Sequence, residues 1–346
     1  MDPTAALYQQ ALLNLTLTLA KYNVDGIQLD SFPHGRVPIC YDKDHDHPIG
    51  GGNWCFHGWQ DILIRIRNEA RKINTNFVLT SEGIAEVYLP YLDGFNEETI
   101  NTISPDFFKS AFTDLSKISF IPLWHTVYHE FSVAYGVNIS LHSIHITQTN
   151  NSSLTFYLRA IGMHAMQGII PNAWVSSSTF LTFSPELNTY FQKVALSLKT
   201  YGKDFIRFGE ILRPPKINVP MIQSGWVYQL PGSGFSYPPF TFPSVISSAW
   251  LSTDGRIAYF FTNVANRTID FDFTIDLTSE SVPNETRALY EIRDGSIHSL
   301  GIYNGFLKII KLTIAPREIL MLLLAPLNED PTVTTKAVEM GGKISP

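Results

Sequence analysis

Formal charge is scarce in this chain. Only 16% of its residues are Asp, Glu, Lys or Arg, and the balance is acidic, −6. A nucleic-acid partner calls for clustered Lys and Arg against phosphates, so the missing basic excess argues against one. Long apolar runs are missing too. None reaches the ~18 residues that would span a bilayer, and the longest, from Ile319 to Leu327, contains Pro326 and reads as a strand. No membrane partner is expected. The start of the chain has no basic segment; Met1 leads into Ala5-Ala6-Leu7-Tyr8, the beginning of an amphipathic helix, so no signal peptide is read there. Cysteine is limited to Cys40 and Cys55. A bridge between them would close a short loop and contribute ~3 kcal/mol, but spacing does not decide whether they pair.

What is present suits a globular chain. Its 346 residues suffice for two ordinary domains, and 45% are hydrophobic. Aromatics reach 13%, which fits sugar-stacking surfaces and fits a large core, the core having the better prior. Asn-x-Ser/Thr sequons at Asn14, Asn138, Asn150, Asn151, Asn266 and Asn284 are compatible with an extracellular glycoprotein, though a chain rich in these residues carries some by chance.

A helix is expected over 4–22. Strand patterns then occur at 24–30, 76–82, 91–95, 118–124 and 167–174, with helical patterns at 56–73, 84–90, 104–116, 152–166 and 185–201. Alternation of this kind signals βαβ units and a parallel sheet. It predicts an α/β fold class: a partial (β/α)8 TIM barrel, about strands 4–8, over 1–214. There is no room ahead of the first helix for three more βα units, so the barrel would begin near its fourth strand. Truncation, or a second chain supplying the missing strands, would account for that. After Arg213-Pro214-Pro215 the helical periodicity stops. Short alternating strands at 248–251, 256–263, 269–276, 287–292, 305–313 and 317–325, separated by turns such as Asp254-Gly255 and Asp294-Gly295, predict an antiparallel β-sandwich over 215–327. A flexible polar tail is expected over 328–346.

Two carboxylates carry the candidate chemistry. Asp30 closes the first strand pattern and Glu82 the second, and parallel barrels present their catalytic groups at such strand exits. A pair of carboxyls on one pocket is the equipment of glycosidic bond cleavage. Asp30, short and on a stiff strand end, suits a nucleophile; Glu82, longer and followed by Gly83, suits an acid/base. The competing reading is that each caps a helix or pairs with an Arg. The loop after Asp30 holds His34, Arg36, Cys40, Asp42, His45, His47, Trp54 and Cys55. Cys40, His45, His47 and Cys55 have zinc-ligand chemistry at no standard spacing. Asp42-x-Asp44-x-Asp46 lacks the Gly and Glu of a calcium loop. No metal and no cofactor is therefore assigned, and sugar contacts from this loop are preferred. Further candidates are Trp124, His125, Tyr128 and His129, and beyond them Trp174, each balanced against a role in the core. Asp93 reads either as orienting a catalytic group or as a turn aspartate.

Asp25-Gly26-Ile27-Gln28-Leu29-Asp30, Cys40-Tyr41-Asp42, His45-Asp46-His47-Pro48 with Gly50-Gly51-Gly52, Trp54, Thr80-Ser81-Glu82-Gly83 and Val127-Tyr128-His129-Glu130 together resemble a glycoside-hydrolase-like family of barrel proteins. The resemblance covers nearly all of 20–325, through Ala315-Pro316-Arg317-Glu318. The arrangement is also similar to α-amylase-type barrels and endo-α-N-acetylgalactosaminidases, in which an Asp after the fourth strand is the nucleophile and a Glu after the fifth is the acid/base. Those roles fall here on Asp30 and Glu82. Gln28 departs from the amylase pattern, which has Arg at that place, and leaves the sugar class open. The resemblance implies a retaining hydrolase acting on an oligo- or polysaccharide or glycoconjugate. The alternative is a non-catalytic carbohydrate-binding or partner-dependent relative.

Overall fold

The computed structural model describes residues 2–30, 39–96, 123–136, 151–170, 184–223, 227–228, 236–237, 241–277, 285–305 and 308–327. They fall into two compact units, one within Met1–Ile100 and Phe131–Gly136, the other within Asn101–Glu130 and Val137–Pro346. No described helix is long and apolar enough to cross a membrane.

The first unit is built on a four-stranded parallel sheet in the order β1 (Gly26–Leu29), β2 (Val78–Glu82), β3 (Gly94–Asn96), β4 (Val133–Tyr135). Helix α1 (Ala6–Lys21) precedes it and α2 (Trp54–Ile73) links β1 to β2. On α2, Ile62, Ile66 and Ala70 recur every four residues and are fully buried, one apolar face of a 3.6-residue helix. Ala20 of α1, Ala70 of α2 and Phe77 form a common core, with Ile27 of β1 packed against it. Side chains alternate along a strand, so this leaves Gln28, Thr80 and Glu82 on the face away from the helices.

The second unit centres on a six-stranded antiparallel sheet, in the order β14 (Ser296–Tyr303), β13 (Arg287–Arg293), β16 (Ile319–Pro326), β11 (Ile257–Asn263), β10 (Val245–Leu251), β5 (Glu210–Leu212). Strands β12 (Ile269–Ile275) and β15 (Lys308–Ile314) form a separate ladder, and two shorter ones join β6 (Met221–Gln223) to β9 (Thr241–Pro243) and β7 (Val227–Tyr228) to β8 (Ser236–Tyr237). The alternation decides what covers each face. Leu320, Leu322 and Leu324 of β16, with Tyr259 and Phe261 of β11, pack on Phe271, Phe273 and Leu312 of the β12–β15 ladder. Met321 and Leu323, with Phe260, face helices α4 (Asn151–Met166) and α5 (Pro185–Lys199), through Leu158, Ile161, Tyr190 and Val194. Strands covered on both faces must be apolar throughout, which is why β16 reads as a continuous hydrophobic run. Helix α5 starts where Ser184 Oγ accepts from the Leu187 amide at 3.2 Å, with Pro185 at the first turn.

Several expected elements shift. Leu123 and Trp124, expected at the end of a strand, open helix α3 (Leu123–Tyr128). The 84–90 helix is a 3₁₀ turn at Glu86–Tyr88. The strand expected at 91–95 begins only at Gly94, because Asp93 bonds across the end of the sheet: its amide donates to Leu79 O and its carboxylate accepts from the Leu79 amide, each at 2.8 Å. β14 has no counterpart among the expected strands; nearly all of it is exposed or half-buried, so no apolar alternation announces it. The helix at 104–116, residues 118–122 and 171–174 of two expected strands, and the tail at 328–346 lie outside the described residues, while Gln167 and Gly168 form a turn after α4 where a strand was expected to start.

Candidate active site

The parallel sheet places the two carboxylates on neighbouring strands. Leu29 pairs with Ser81, so Asp30 and Glu82 each stand one residue further on, at the C-terminal ends of β1 and β2. Asp30 is exposed in the turn that follows its strand, and Glu82 is half-buried. The register then runs from Glu82 to Asn96 and from Asn96 to Tyr135. Asn96 is almost fully buried, and its carbonyl accepts from the Gly83 amide at 2.8 Å, with Gly83 at φ 78°. One step below, Tyr135 Oη donates to Gln28 Oε1 at 2.9 Å and lies 2.6 Å from Thr80 Oγ1. Gln28, Thr80 and Tyr135 are thus tied together on the strand face that also carries Glu82. Tyr135 and Asn96 were not singled out from the sequence; the short strands that carry them have too little apolar pattern.

Asp93 lies at the opposite end of the sheet. Its Oδ1 accepts from Arg67 Nη2 and Arg71 Nη2, both at 2.8 Å, which fastens α2 to the N-terminal edge of β2 and β3. Of its two sequence readings, the structural one fits this position.

The loop ahead of α2 gathers several predicted residues. Backbone bonds between Cys40 and Gly50, 3.1 and 2.7 Å, close it. His45 Nδ1 is 3.3 Å from Cys40 Sγ and 2.9 Å from Asp2 Oδ2, and His45 Nε2 is 3.3 Å from Asp42 Oδ2. His47 Nε2 lies 3.0 Å from Asp2 Oδ2 and its Nδ1 3.0 Å from Pro48 O. The His47 ring stacks on Trp54, centroids 3.7 Å apart and planes 7° off parallel. Burial alone would push His47 down, but the Pro48 carbonyl and Asp2 outweigh it and hold its pKa above the usual value. Asp2 is held low against its own burial by the Thr4 hydroxyl and amide and by His47. Cys40 and Cys55 are both free thiols; Cys55 is buried and shifted up by that burial. His34, Arg36 and Trp174 lie outside the described residues.

Trp124, His125, Tyr128 and His129 belong to the second unit. Trp124 and Tyr128 pack ring to ring at 4.5 Å. His125 is buried. His129 is buried against Trp250, centroids 4.7 Å apart, with Nδ1 bonded to Gly209 O at 3.1 Å. Gly168, at φ 84°, leaves it room: a Cβ there would come within 2.1 Å of His129 Nε2. Burial, then His125, pushes the His129 pKa down to about 4, so it is a neutral packed imidazole. The same unit holds a cavity of about 480 Å³, lined by Glu186, Gln223, Asn266, Arg267 and Arg317 among others. Among the described lining residues the one carboxylate, Glu186, is paired with Arg317 Nε at 2.7 Å.

Residues 1–139 match a domain of unknown function, DUF6259. Among curated proteins no sequence match reaches significance. The fold is shared with a maltogenic α-amylase from Thermotoga neapolitana, at TM-score 0.52 and 12% identity, over 94% of this chain and 67% of that one. An α-amylase from Geobacillus thermoleovorans aligns at TM-score 0.49 and 14% identity, over 93% and 66%. A β-L-arabinopyranosidase from Geobacillus stearothermophilus aligns at TM-score 0.43 and 10% identity, over 93% and 62%. The chain therefore spans roughly two thirds of the length of these structures or slightly less. The fold is glycosidase-like: a parallel sheet with helices, followed by antiparallel sheets.

Proposed function

We propose that this chain is the later part of a (β/α)8 barrel with a C-terminal β-sandwich, and that it serves a retaining glycoside hydrolase with Asp30 as nucleophile and Glu82 as acid/base. The observation that carries the reading is the register. Two carboxylates stand side by side at the C-terminal ends of adjacent parallel strands, where barrels carry their chemistry. Neighbouring strands lie ~4.8 Å apart, which suits the ~5–5.5 Å carboxyl separation of a retaining enzyme better than the wider gap of an inverting one. Exposed Asp30 would attack the anomeric carbon and release the leaving oxygen, which Glu82 protonates. Glu82 would then deprotonate the water that frees the sugar. Gln28, Thr80, Tyr135 and Asn96 supply hydrogen-bonding groups beside the pair. Asp42, His45 and His47 stand on the following loop and Trp54 opens α2, all among the candidates for sugar contacts.

The test is a panel of aryl glycosides with good leaving groups, assayed with the wild-type chain, Asp30→Asn and Glu82→Gln. Hydrolysis is expected to fall to background in the first variant and by about 10²–10⁴-fold in the second. A 2-fluoro glycoside should label the peptide containing Asp30 and leave Asp30→Asn unlabelled. Full activity in both variants would sink the assignment.

A second reading has its own support: among the described residues β1 pairs with β2 alone, at an edge of the sheet. A partner chain could add strands there, or the chain could bind carbohydrate without cleaving it. Sugar binding by calorimetry without turnover would favour that reading.

A further inference from the structure

The cluster around Asp2 has a feature that hydrogen bonding alone leaves unbalanced. Cys40, His45 and His47 each offer one ligand atom, and these atoms lie within 4.8 Å of one another. Asp2 Oδ2 adds a fourth, 2.9 Å from His45 Nδ1 and 3.0 Å from His47 Nε2. Each imidazole also has an oxygen acceptor at its other nitrogen: Asp42 Oδ2 for His45 and the Pro48 carbonyl for His47. A neutral imidazole has one N–H. If that proton goes to the outer acceptor, both inner nitrogens aim a lone pair at the same carboxylate oxygen. Something positive is needed between them, either a second proton on each ring or a cation.

We propose that Asp2, Cys40, His45 and His47 form a structural zinc site. The donor set, one sulfur, two imidazole nitrogens and one carboxylate oxygen, is one that Zn²⁺ takes in tetrahedral sites. Bond lengths of ~2.0–2.3 Å at tetrahedral angles put ligand atoms about 3.3–3.6 Å apart. The His45–Cys40, His45–Asp2 and His47–Asp2 contacts, 2.9–3.3 Å, need to open only slightly, and Cys40 lies within 4.8 Å of His47. The outer partners match as well. Ligating histidines donate their second N–H to a carboxylate or backbone carbonyl, which fixes the ring and raises its basicity. Asp42 and Pro48 do both jobs here. His47 and Asp2 are shielded, at 5% and 11% side-chain exposure, while His45 is at 31%.

The backbone is arranged to bring the fourth ligand in. Asp2 is 45 residues from His47 in sequence. It arrives because the N-terminal segment crosses α2 at Gly58, where a Cβ would come within 2.8 Å of Thr4 and 3.0 Å of Pro3. Gln9 Nε2 holds the crossing by donating to Pro3 O at 2.8 Å. Four protein ligands would leave no open position, so the site would pin the N-terminal segment to the 39–53 loop rather than activate water. Binding would release the Cys40 thiol proton to solvent. The site leaves the Asp30–Glu82 pair untouched but commits His45 and His47, which then do not serve as sugar contacts, and its test does not use activity.

The experiment is metal uptake by the whole chain. Purified protein is stripped with chelator, dialysed against zinc or cobalt at neutral pH, and measured by elemental analysis and absorption spectroscopy. One equivalent is expected. The cobalt form should show visible tetrahedral bands and a near-ultraviolet thiolate-to-cobalt band, with the latter missing in Cys40→Ser. His47→Ala should abolish stoichiometric uptake. Asp42→Asn, which leaves all four ligands in place, should weaken affinity by about 10–100-fold. His57→Ala, an exposed histidine on α2 outside the cluster, should bind as wild type. Circular dichroism of each variant separates lost binding from lost folding. Should any ligand variant fail to fold, chelation of the wild type is read instead: it should lower the thermal midpoint, and zinc should restore it. No uptake by the folded wild-type chain would overturn the proposal. Uptake unchanged in Cys40→Ser and His47→Ala would overturn it equally.

Discussion

Two groups of histidines in this chain meet opposite surroundings. His45 and His47 sit on a half-exposed loop with Asp2 and Asp42 within 3.3 Å of their nitrogens. His129 and His164 are buried in the second unit and bonded to backbone carbonyls, of Gly209 and Ala160. Carboxylates and the Pro48 carbonyl hold the His47 pKa up, whereas burial pushes His129 and His164 down to about 4. The side chain is the same; what differs is whether a negative charge or a wall of apolar groups stands next to it. Histidines of the first kind have the surroundings of a cation site. Those of the second kind are packing material. Only the first group resembles a binding site, although the sequence nominated His125 and His129 beside them.

The largest way to break this contrast is to remove the wall. Trp250 is fully buried against His129 and donates to Ser248 Oγ at 2.9 Å. Trp250→Ala should cost about 3–5 kcal/mol of unfolding free energy, read from urea melts. By NMR the His129 titration should move up toward ~6.5. The sheet's two ends offer a parallel comparison. Asp93→Ala removes the acceptor shared by Arg67, Arg71 and the Leu79 amide, and should destabilise the chain by about 3 kcal/mol. Asp30→Asn, in an exposed turn, should leave the melt within about 0.5 kcal/mol of wild type. Equal melts for the two variants would erase the distinction between a structural and a functional end.

Acid should sharpen the same contrast. His129 has a folded pKa of about 4 against an unfolded value of ~6.5. Between these values the unfolded chain binds a proton that the native chain refuses, so stability falls as pH drops through that window. For His129 the loss is on the order of 2 kcal/mol at pH 5. Urea midpoints from pH 7.5 to 5 should show it, and His129→Gln should reduce the slope while His164 keeps its own share. In the metal-free chain His47 has the opposite sign: its raised pKa adds stability that is complete below the unfolded value and lost as pH rises through the folded one. The smallest effect belongs to Lys193→Ala. Its ion pair with Asp294 is 3.3 Å long and solvated, and its loss should shift the melt by no more than about 0.5 kcal/mol.

Particular residues show how far the sequence could be read. The strand, helix and strand from Gly26 to Glu82 were legible because each has its own period: apolar runs for β1 and β2, and a four-residue recurrence for α2. The carboxylates were legible because each ends an apolar run. Strands β10–β13, β15 and β16 of the second unit were legible from alternation and turn residues, whereas the two- and three-residue strands β5–β9 were too short to show any. β14 was not legible either, since its side chains face solvent. Leu123 and Trp124 were misassigned, because a short apolar pair does not tell a strand end from a helix start.

The sequence by itself determined the strand–helix–strand order from β1 to β2, the strand exits that carry Asp30 and Glu82, and the change of character after Arg213, all of them patterns within a few neighbouring residues. Only the tertiary structure decided which residues act together. It set the register that puts Asp30 beside Glu82, the burial that makes His129 a core residue, and the crossing at Gly58 that delivers Asp2 to His45 and His47. Those are contacts between distant segments, fixed by how faces pack, and no local pattern encodes them.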